Sequence, residues 1–115
     1  MVDLEQLEHL LKVAAKTRQP LTYAEILSYF ERQTTPITVR ALCSDLGKVG
    51  HKMRSEGWPE LACLVVRKSD RLPGEGYFDG AVDEAGKPVP HFGPEAAAYV
   101  LAQQVKAYAH AEAVL

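Results

Sequence analysis

The chain has 115 residues, 47% hydrophobic and 24% charged, which is typical of one globular domain with a single core. No apolar run approaches the roughly 20 residues that span a bilayer, and the acidic N-terminus lacks the basic-then-apolar pattern of a signal peptide. The two cysteines, Cys43 and Cys63, lie inside apolar-periodic segments, where buried free thiols are expected in a reducing compartment. The composition therefore predicts a soluble, cytoplasmic domain.

The charge is unevenly distributed along the chain. The formal net charge is −2, yet residues 35–71 carry seven Lys or Arg and only four Asp or Glu. The segments on either side of this stretch are acidic overall. A locally basic centre permits contact with nucleic acid, although an ordinary solvated helix face would give the same count.

Two helices are predicted in the N-terminal third of the chain. Apolar residues recur at helical spacing in residues 3–16, at Leu4, Leu7, Leu11 and Ala14. After Pro20 breaks this pattern, Thr22 and Glu25 have the spacing of a capping box, in which each side chain accepts a hydrogen bond from the other residue's amide. A short second helix should follow and end near Arg32.

A long third helix is predicted over residues 39–56. Its apolar seam advances by three and four residues in turn, through Val39, Leu42, Leu46, Val49 and Met53. Either Thr35, before Pro36, or Thr38 supplies the cap. Gly47 and Gly50 inside the helix each cost around 1 kcal/mol relative to alanine, and we expect close packing against another element to compensate.

The C-terminal half predicts strands, turns and a last helix. Residues 61–66 suggest a strand, residues 67–76 a polar turn, and Tyr77 with Phe78 a second strand, together a hairpin. Residues 79–94 predict a second hairpin or an irregular loop. An alanine-rich helix follows over about residues 95–113. Its predicted core stripe comprises Ala98, Leu101, Val105 and Tyr108. Three apolar or aromatic residues are expected outside that stripe and are a candidate dimer face: Tyr99, Val100 and Leu115.

This order of elements is the layout of a winged helix-turn-helix. The predicted fold class is α+β: a winged helix-turn-helix with a small β-hairpin wing and an additional C-terminal helix. Residues 1–115 are expected to form one domain, with the winged-helix core at residues 20–78.

From Pro20 to Tyr77 the chain resembles the winged-helix domain of the O6-alkylguanine DNA alkyltransferase and alkyltransferase-like family. The resemblance rests on Thr22-Tyr23-Ala24-Glu25, on Val39-Arg40-Ala41-Leu42, and on a strand followed by Gly74-Glu75-Gly76-Tyr77. It implies that the third helix enters a groove of double-stranded DNA. The family's Pro-Cys-His-Arg tetrad is absent, because Cys63 follows alanine and precedes leucine. With no adjacent histidine to activate the thiol, alkyl transfer through Cys63 is not expected.

The candidate DNA-contacting residues fall in two groups. On the third helix, polar residues off the apolar seam are Arg40, Ser44, Lys48, His51, Lys52 and Ser55. At the expected wing tip, basic residues that could reach a phosphate are Arg67, Lys68 and Arg71. A solvated helix face and a soluble loop would show the same residues.

No residue pattern predicts catalysis, a cofactor or a metal. The four histidines are scattered and lack zinc-ligand spacing. Acidic residues near two turns, Glu75, Asp79, Asp83 and Glu84, lack the alternating spacing of a calcium or magnesium site. The leading hypothesis is a non-enzymatic DNA-binding protein, acting as a small regulator or accessory factor. The alternative is a protein-interaction module, such as a phage- or prophage-type modulator of a host complex, that uses the winged helix as a scaffold.

Overall fold

The computed structural model describes residues 2–115, apart from the side chain of Glu75. In chain order its elements are α1 (Leu4–Thr17), β1 (Leu21–Thr22), α2 (Tyr23–Tyr29), α3 (Pro36–Ser55), a 3-10 helix (Ala62–Leu64), β2 (Val65–Val66), a second 3-10 helix (Glu75–Phe78) and α4 (Gly93–Val114). The fold is α+β and mostly helical, with four α-helices and a sheet of two short strands among the described residues, which agrees with the coarse α+β class that was predicted.

The first two helices begin where a side chain caps the exposed amides. Asp3 accepts a hydrogen bond from the amide of Gln6, at 3.1 Å, and starts α1. At α2 the capping box is present in full. The Thr22 amide donates to the Glu25 carboxylate and the Glu25 amide donates to the Thr22 hydroxyl oxygen, each at 3.1 Å. These contacts span three residues, so the sequence alone can specify them.

The third helix starts slightly earlier than its apolar seam indicated. Thr35 is its N-cap and accepts from the amide of Thr38 at 3.1 Å, while the Thr35 amide donates to the Thr38 hydroxyl at 2.8 Å. Pro36 occupies the first turn, where its missing N–H costs nothing. The seam itself packs as predicted, with Leu42, Leu46, Val49 and Met53 buried.

The predicted wing hairpin is wrong. Of residues 61–66 only Val65 and Val66 form a strand, β2, which pairs in parallel with β1. Tyr77 and Phe78 lie in a 3-10 helix rather than in a strand. After β2 the amide of Arg67 donates to the Leu72 carbonyl at 2.8 Å, and the Gly74 amide donates to the Tyr23 hydroxyl at 2.9 Å. The chain is therefore drawn toward the start of α2 instead of folding back along β2.

Residues 79–92, between the second 3-10 helix and α4, form a loop with one short antiparallel pairing. The single bridge joins Val82 and Pro88. Between these two residues, the carboxylate of Asp83 accepts hydrogen bonds from the amides of Ala85 and Lys87, both at 2.9 Å. Asp83 is thus a turn-forming residue, and the loop combines both of the predicted forms.

The predicted core stripe of α4 is also wrong. Leu101 and Val105 are 58% and 53% exposed, Ala98 is exposed and Tyr108 is half-buried. Val100, expected on the outside, is buried. The residues that face the core are Ala96, Val100, Gln104, Ala107 and Ala111.

Two features explain why α4 packs against the core with a different face from the predicted one. Small alanines let the helix lie close against α1 and the first 3-10 helix, which are its main neighbours. In addition, the side-chain amide of Gln104 donates to the Cys63 carbonyl at 2.9 Å. That bond satisfies a buried acceptor and holds one particular face of the helix inward.

One hydrophobic core joins these elements. It is lined by α1, α2, α3 and α4 and closed by Trp58, whose ring meets the edge of His110 at a centroid distance of 4.5 Å. Among residues 2–115 no helix is long and apolar enough to cross a membrane.

Candidate functional site

The outer face of α3 brings together the predicted polar residues of that helix. All six, Arg40, Ser44, Lys48, His51, Lys52 and Ser55, are exposed. Asp45, which is the sole acidic residue in α3, is 5% exposed and lies on the buried side. Arg54, which the sequence reasoning did not select, is exposed on the same helix. The exposed face of α3 is therefore basic and carries no carboxylate.

Three of these residues already have partners within the chain. Lys52 Nζ lies 2.6 Å from Glu8 Oε1 of α1 and 3.9 Å from Glu56, and the bond to Glu8 raises the pKa of Lys52. Lys48 lies 3.9 Å from the Asp45 carboxylate, and the Ser55 hydroxyl donates to the Lys52 carbonyl. Lys52 thus turns toward α1, away from the centre of the exposed face.

The basic turn at residues 67–71 is only partly available. The Arg67 guanidinium donates twice to Asp70, at 2.8 and 3.2 Å, and this pairing lowers the pKa of Asp70. The same guanidinium lies 5.0 Å from the centroid of Phe92. Arg71 adopts a left-handed backbone with φ of 60° and donates to the Pro20 carbonyl at 3.5 Å. Lys68 is exposed, and it extends from this turn into solvent.

A cleft of about 380 Å³ opens beside α3, facing residues 60–77. Among the residues that line it are Tyr23, Gly47, Gly50, Arg54, Glu60 and Tyr77. No sequence pattern indicates that Glu60 and Tyr77 line the same cleft as α3, because the two segments meet only through tertiary packing.

The helical glycines border this cleft without packing against another element. A Cβ atom placed on Gly47 or Gly50 would meet nothing within 4 Å. The expectation of close packing there is wrong, since both residues leave the backbone of α3 open toward the cleft. The helix therefore bears the cost of two interior glycines with no compensating contact.

Tyr23 fixes the far wall of the cleft. Its hydroxyl accepts the hydrogen bond from the Gly74 amide, and a Cβ on Gly74 would come within 3.1 Å of that oxygen. Burial raises the pKa of Tyr23. The phenol thus stays protonated and clamps the turn after β2 to the start of α2.

The two thiols differ in environment. Cys63 is 0% exposed, its thiol donates to the Glu60 carbonyl at 3.5 Å, and burial raises its pKa to about 12. Such a thiol is a poor nucleophile at neutral pH, which agrees with the missing Pro-Cys-His-Arg tetrad. Cys43 is exposed at the cleft, so the expectation of two buried thiols is wrong for this residue.

Over the part of the chain that the structure describes, no group of three or more His, Cys, Asp or Glu side chains could hold a metal ion. The predicted acidic group includes Glu75, whose side chain lies outside that part. Comparisons with known proteins found no matching family model, no matching curated protein and no matching solved structure.

Proposed function

We propose that this protein binds duplex DNA through the exposed face of α3, as a non-enzymatic regulator or accessory factor. The observation that carries the proposal is the charge of that face, which combines Arg40, Lys48 and Arg54 with no exposed carboxylate. Phosphate contacts by Lys and Arg supply most of the affinity of proteins for DNA. A helix with such a face can also present polar groups to base edges.

The geometry of α2 and α3 suits this role. Two capped helices are joined by a short turn, and the second is the longer and has a solvated outer face, as in helix-turn-helix proteins. In this proposal the turn at residues 67–71 takes the place of the wing. Lys68 would reach a phosphate beside the groove, and Arg71 would support the turn.

The contributions of the candidate residues should be unequal. Lys52 and Arg67 each hold a close ion pair within the chain, which DNA binding would have to break. Lys48 has only a distant partner, at 3.9 Å. We therefore expect Arg40, Lys48, Arg54 and Lys68 to make the phosphate contacts.

Fluorescence anisotropy with a 25-base-pair duplex tests the proposal. Binding at low salt should weaken steeply as salt rises, with a log–log slope of about −0.9 for each phosphate contacted. Arg40→Ala with Lys48→Ala should reduce the slope by about 2. The matched control is Lys87→Ala with Lys106→Ala, which removes the same charge from the loop and α4. Absence of binding to any duplex at micromolar protein would refute the proposal.

A second candidate function is a protein-interaction module, possessing an apolar face on α4. This face consists of Leu101 and Val105, two large aliphatic residues on one side of the helix that are each more than half exposed. Such a face suits a protein partner or a second copy of the chain. Multi-angle light scattering of the wild type and of Leu101→Glu tests self-association. A monomer at every concentration would leave a different protein as the only partner for this face.

A further inference from the structure

The outward face of α4 is apolar along most of its length. Leu101 and Val105 are each more than half exposed there, and the remaining exposed positions of this face are the alanines Ala98, Ala102 and Ala109. These five residues recur at helical spacing on the side opposite the buried residues of α4. Alanine side chains let a second helix approach closely, and Leu101 with Val105 supplies most of the apolar area that such a contact would bury.

Two charges of opposite sign lie along one edge of this face. Glu95, in the first turn of α4, and Lys106 are both exposed, and neither has an ion-pair partner among residues 2–115. Eleven residues separate them, which is about three helical turns, so both side chains lie on the same edge. They are also about 16 Å apart along the axis, and therefore cannot pair within one helix.

This arrangement is complementary to a second copy of α4 in antiparallel orientation. When two such helices pair about a twofold axis, each edge of one helix meets the same edge of the other. Placing Glu95 opposite Lys106 of the second copy creates two symmetric ion pairs. The same alignment brings the two Leu101 side chains together beside the axis, and it places Ala98 near Val105 of the second copy. Large side chains thus meet small ones along the centre of the contact.

We propose that the protein forms an antiparallel homodimer through the outward face of α4, with Leu101 beside the twofold axis. The proposal rests on the second candidate function and names its partner as another copy of this chain. The contact uses no residue assigned to DNA binding, so the dimer presents two α3 faces, as dimeric helix-turn-helix proteins do.

The dimer should be weak. One pair of helices buries less surface than a standard protein interface. In addition, Glu84 of the adjoining loop lines the groove beside Lys106, which leaves this edge net negative in both copies. We therefore expect dissociation in the micromolar range.

Sedimentation equilibrium from low micromolar to millimolar protein tests the ion pairs. Lys106→Glu should weaken the dimer about tenfold, because it replaces two attractive pairs with two repulsive ones. Adding Glu95→Lys to this variant should restore the affinity, since the two pairs are then reversed but intact. Lys68→Glu is the matched control: it makes the same charge change in the exposed turn after β2 and should dimerise like the wild type.

Cysteine cross-linking tests the orientation of the helices. In a Cys43→Ser background, which removes the exposed thiol, Leu101→Cys and Ala109→Cys are oxidised separately by copper phenanthroline in air. In the proposed dimer the two residues 101 are adjacent, whereas the two residues 109 lie about 25 Å apart along the axis. Leu101→Cys should therefore form a covalent dimer and Ala109→Cys should not. Parallel helices would cross-link at both positions.

The results that would overturn the proposal also separate it from the functions on which it builds. A monomer at every concentration excludes the homodimer and leaves the second candidate function with a different protein as partner. A dimer that Lys106→Glu does not weaken, or that the double variant does not restore, excludes the proposed ion pairs while self-association stands. Equal cross-linking at residues 101 and 109 excludes the antiparallel orientation. None of these outcomes bears on DNA binding by α3.

Discussion

The interior glycines of α3 offer a direct test of how the cleft is built. A Cβ on Gly47 or Gly50 meets no atom within 4 Å, and neither residue has a positive φ. Alanine therefore fits the native backbone without strain, and it lowers the conformational entropy of the unfolded chain. We expect Gly47→Ala and Gly50→Ala each to raise the free energy of unfolding by about 1 kcal/mol.

Urea denaturation followed by circular dichroism measures this change. The midpoint should rise with an unchanged m-value, and thermal unfolding should shift upward by about 3–6 °C per substitution in a domain of this size. Gly57→Ala is the matched control. Gly57 lies two residues after the end of α3 and has a φ of +91°, a left-handed backbone conformation that alanine disfavours. Gly57→Ala should therefore lower the free energy of unfolding by about 1 kcal/mol.

The outcome that refutes this reasoning is destabilisation by Gly47→Ala or Gly50→Ala. It would mean that another part of the chain lies against α3 in solution and that the cleft is closed.

Three further outcomes are expected. Gln104→Ala should lower the free energy of unfolding by about 1–3 kcal/mol, measured in urea, because it leaves the buried Cys63 carbonyl unpaired. The hydrogen bonds to Lys52 and then Lys12 lower the pKa of Glu8, so its contribution to stability is present above pH 4.5 and is lost as the pH falls through the lowered value. Unfolding measured from pH 6 to pH 3 should therefore be less pH-dependent in Glu8→Gln, and equal dependence would contradict the assignment. With a thiol reagent such as dithionitrobenzoate, native protein should react at Cys43 only, and rapid labelling of both thiols would show that Cys63 is not buried.

The sequence predicted the helices well because their determinants are local. The capping boxes at Thr22 and Thr35 and the alternating spacing of the α3 seam involve residues three or four positions apart. Such contacts form within one helical turn whatever the rest of the chain does. The same locality explains why the exposed face of α3, the complement of its seam, was predicted correctly.

The partner of β2 could not be predicted in this way. The sequence favoured pairing with the nearby Tyr77 and Phe78, since sequential strands are usually neighbours. The observed partner is β1, far back in the chain and parallel to it. A two-residue strand carries too few side chains to specify its partner or register, so this pairing depends on how the rest of the chain folds.

The orientation of α4 and the cleft were also beyond the sequence. Because α4 is rich in alanine, apolar residues occur on most sides of the helix. The prediction placed the larger Leu101 and Val105 in the core, whereas both are exposed. Close packing on α1 favours the small residues, and the bond from Gln104 to Cys63 selects among them. Glu60 and Tyr77 face the open glycines of α3 only once those elements have packed.

The sequence by itself thus determined the helices and the polar face of α3, through local spacing. Tertiary structure alone decided which surfaces are buried and where the cleft lies, because both depend on contacts between residues distant in the chain.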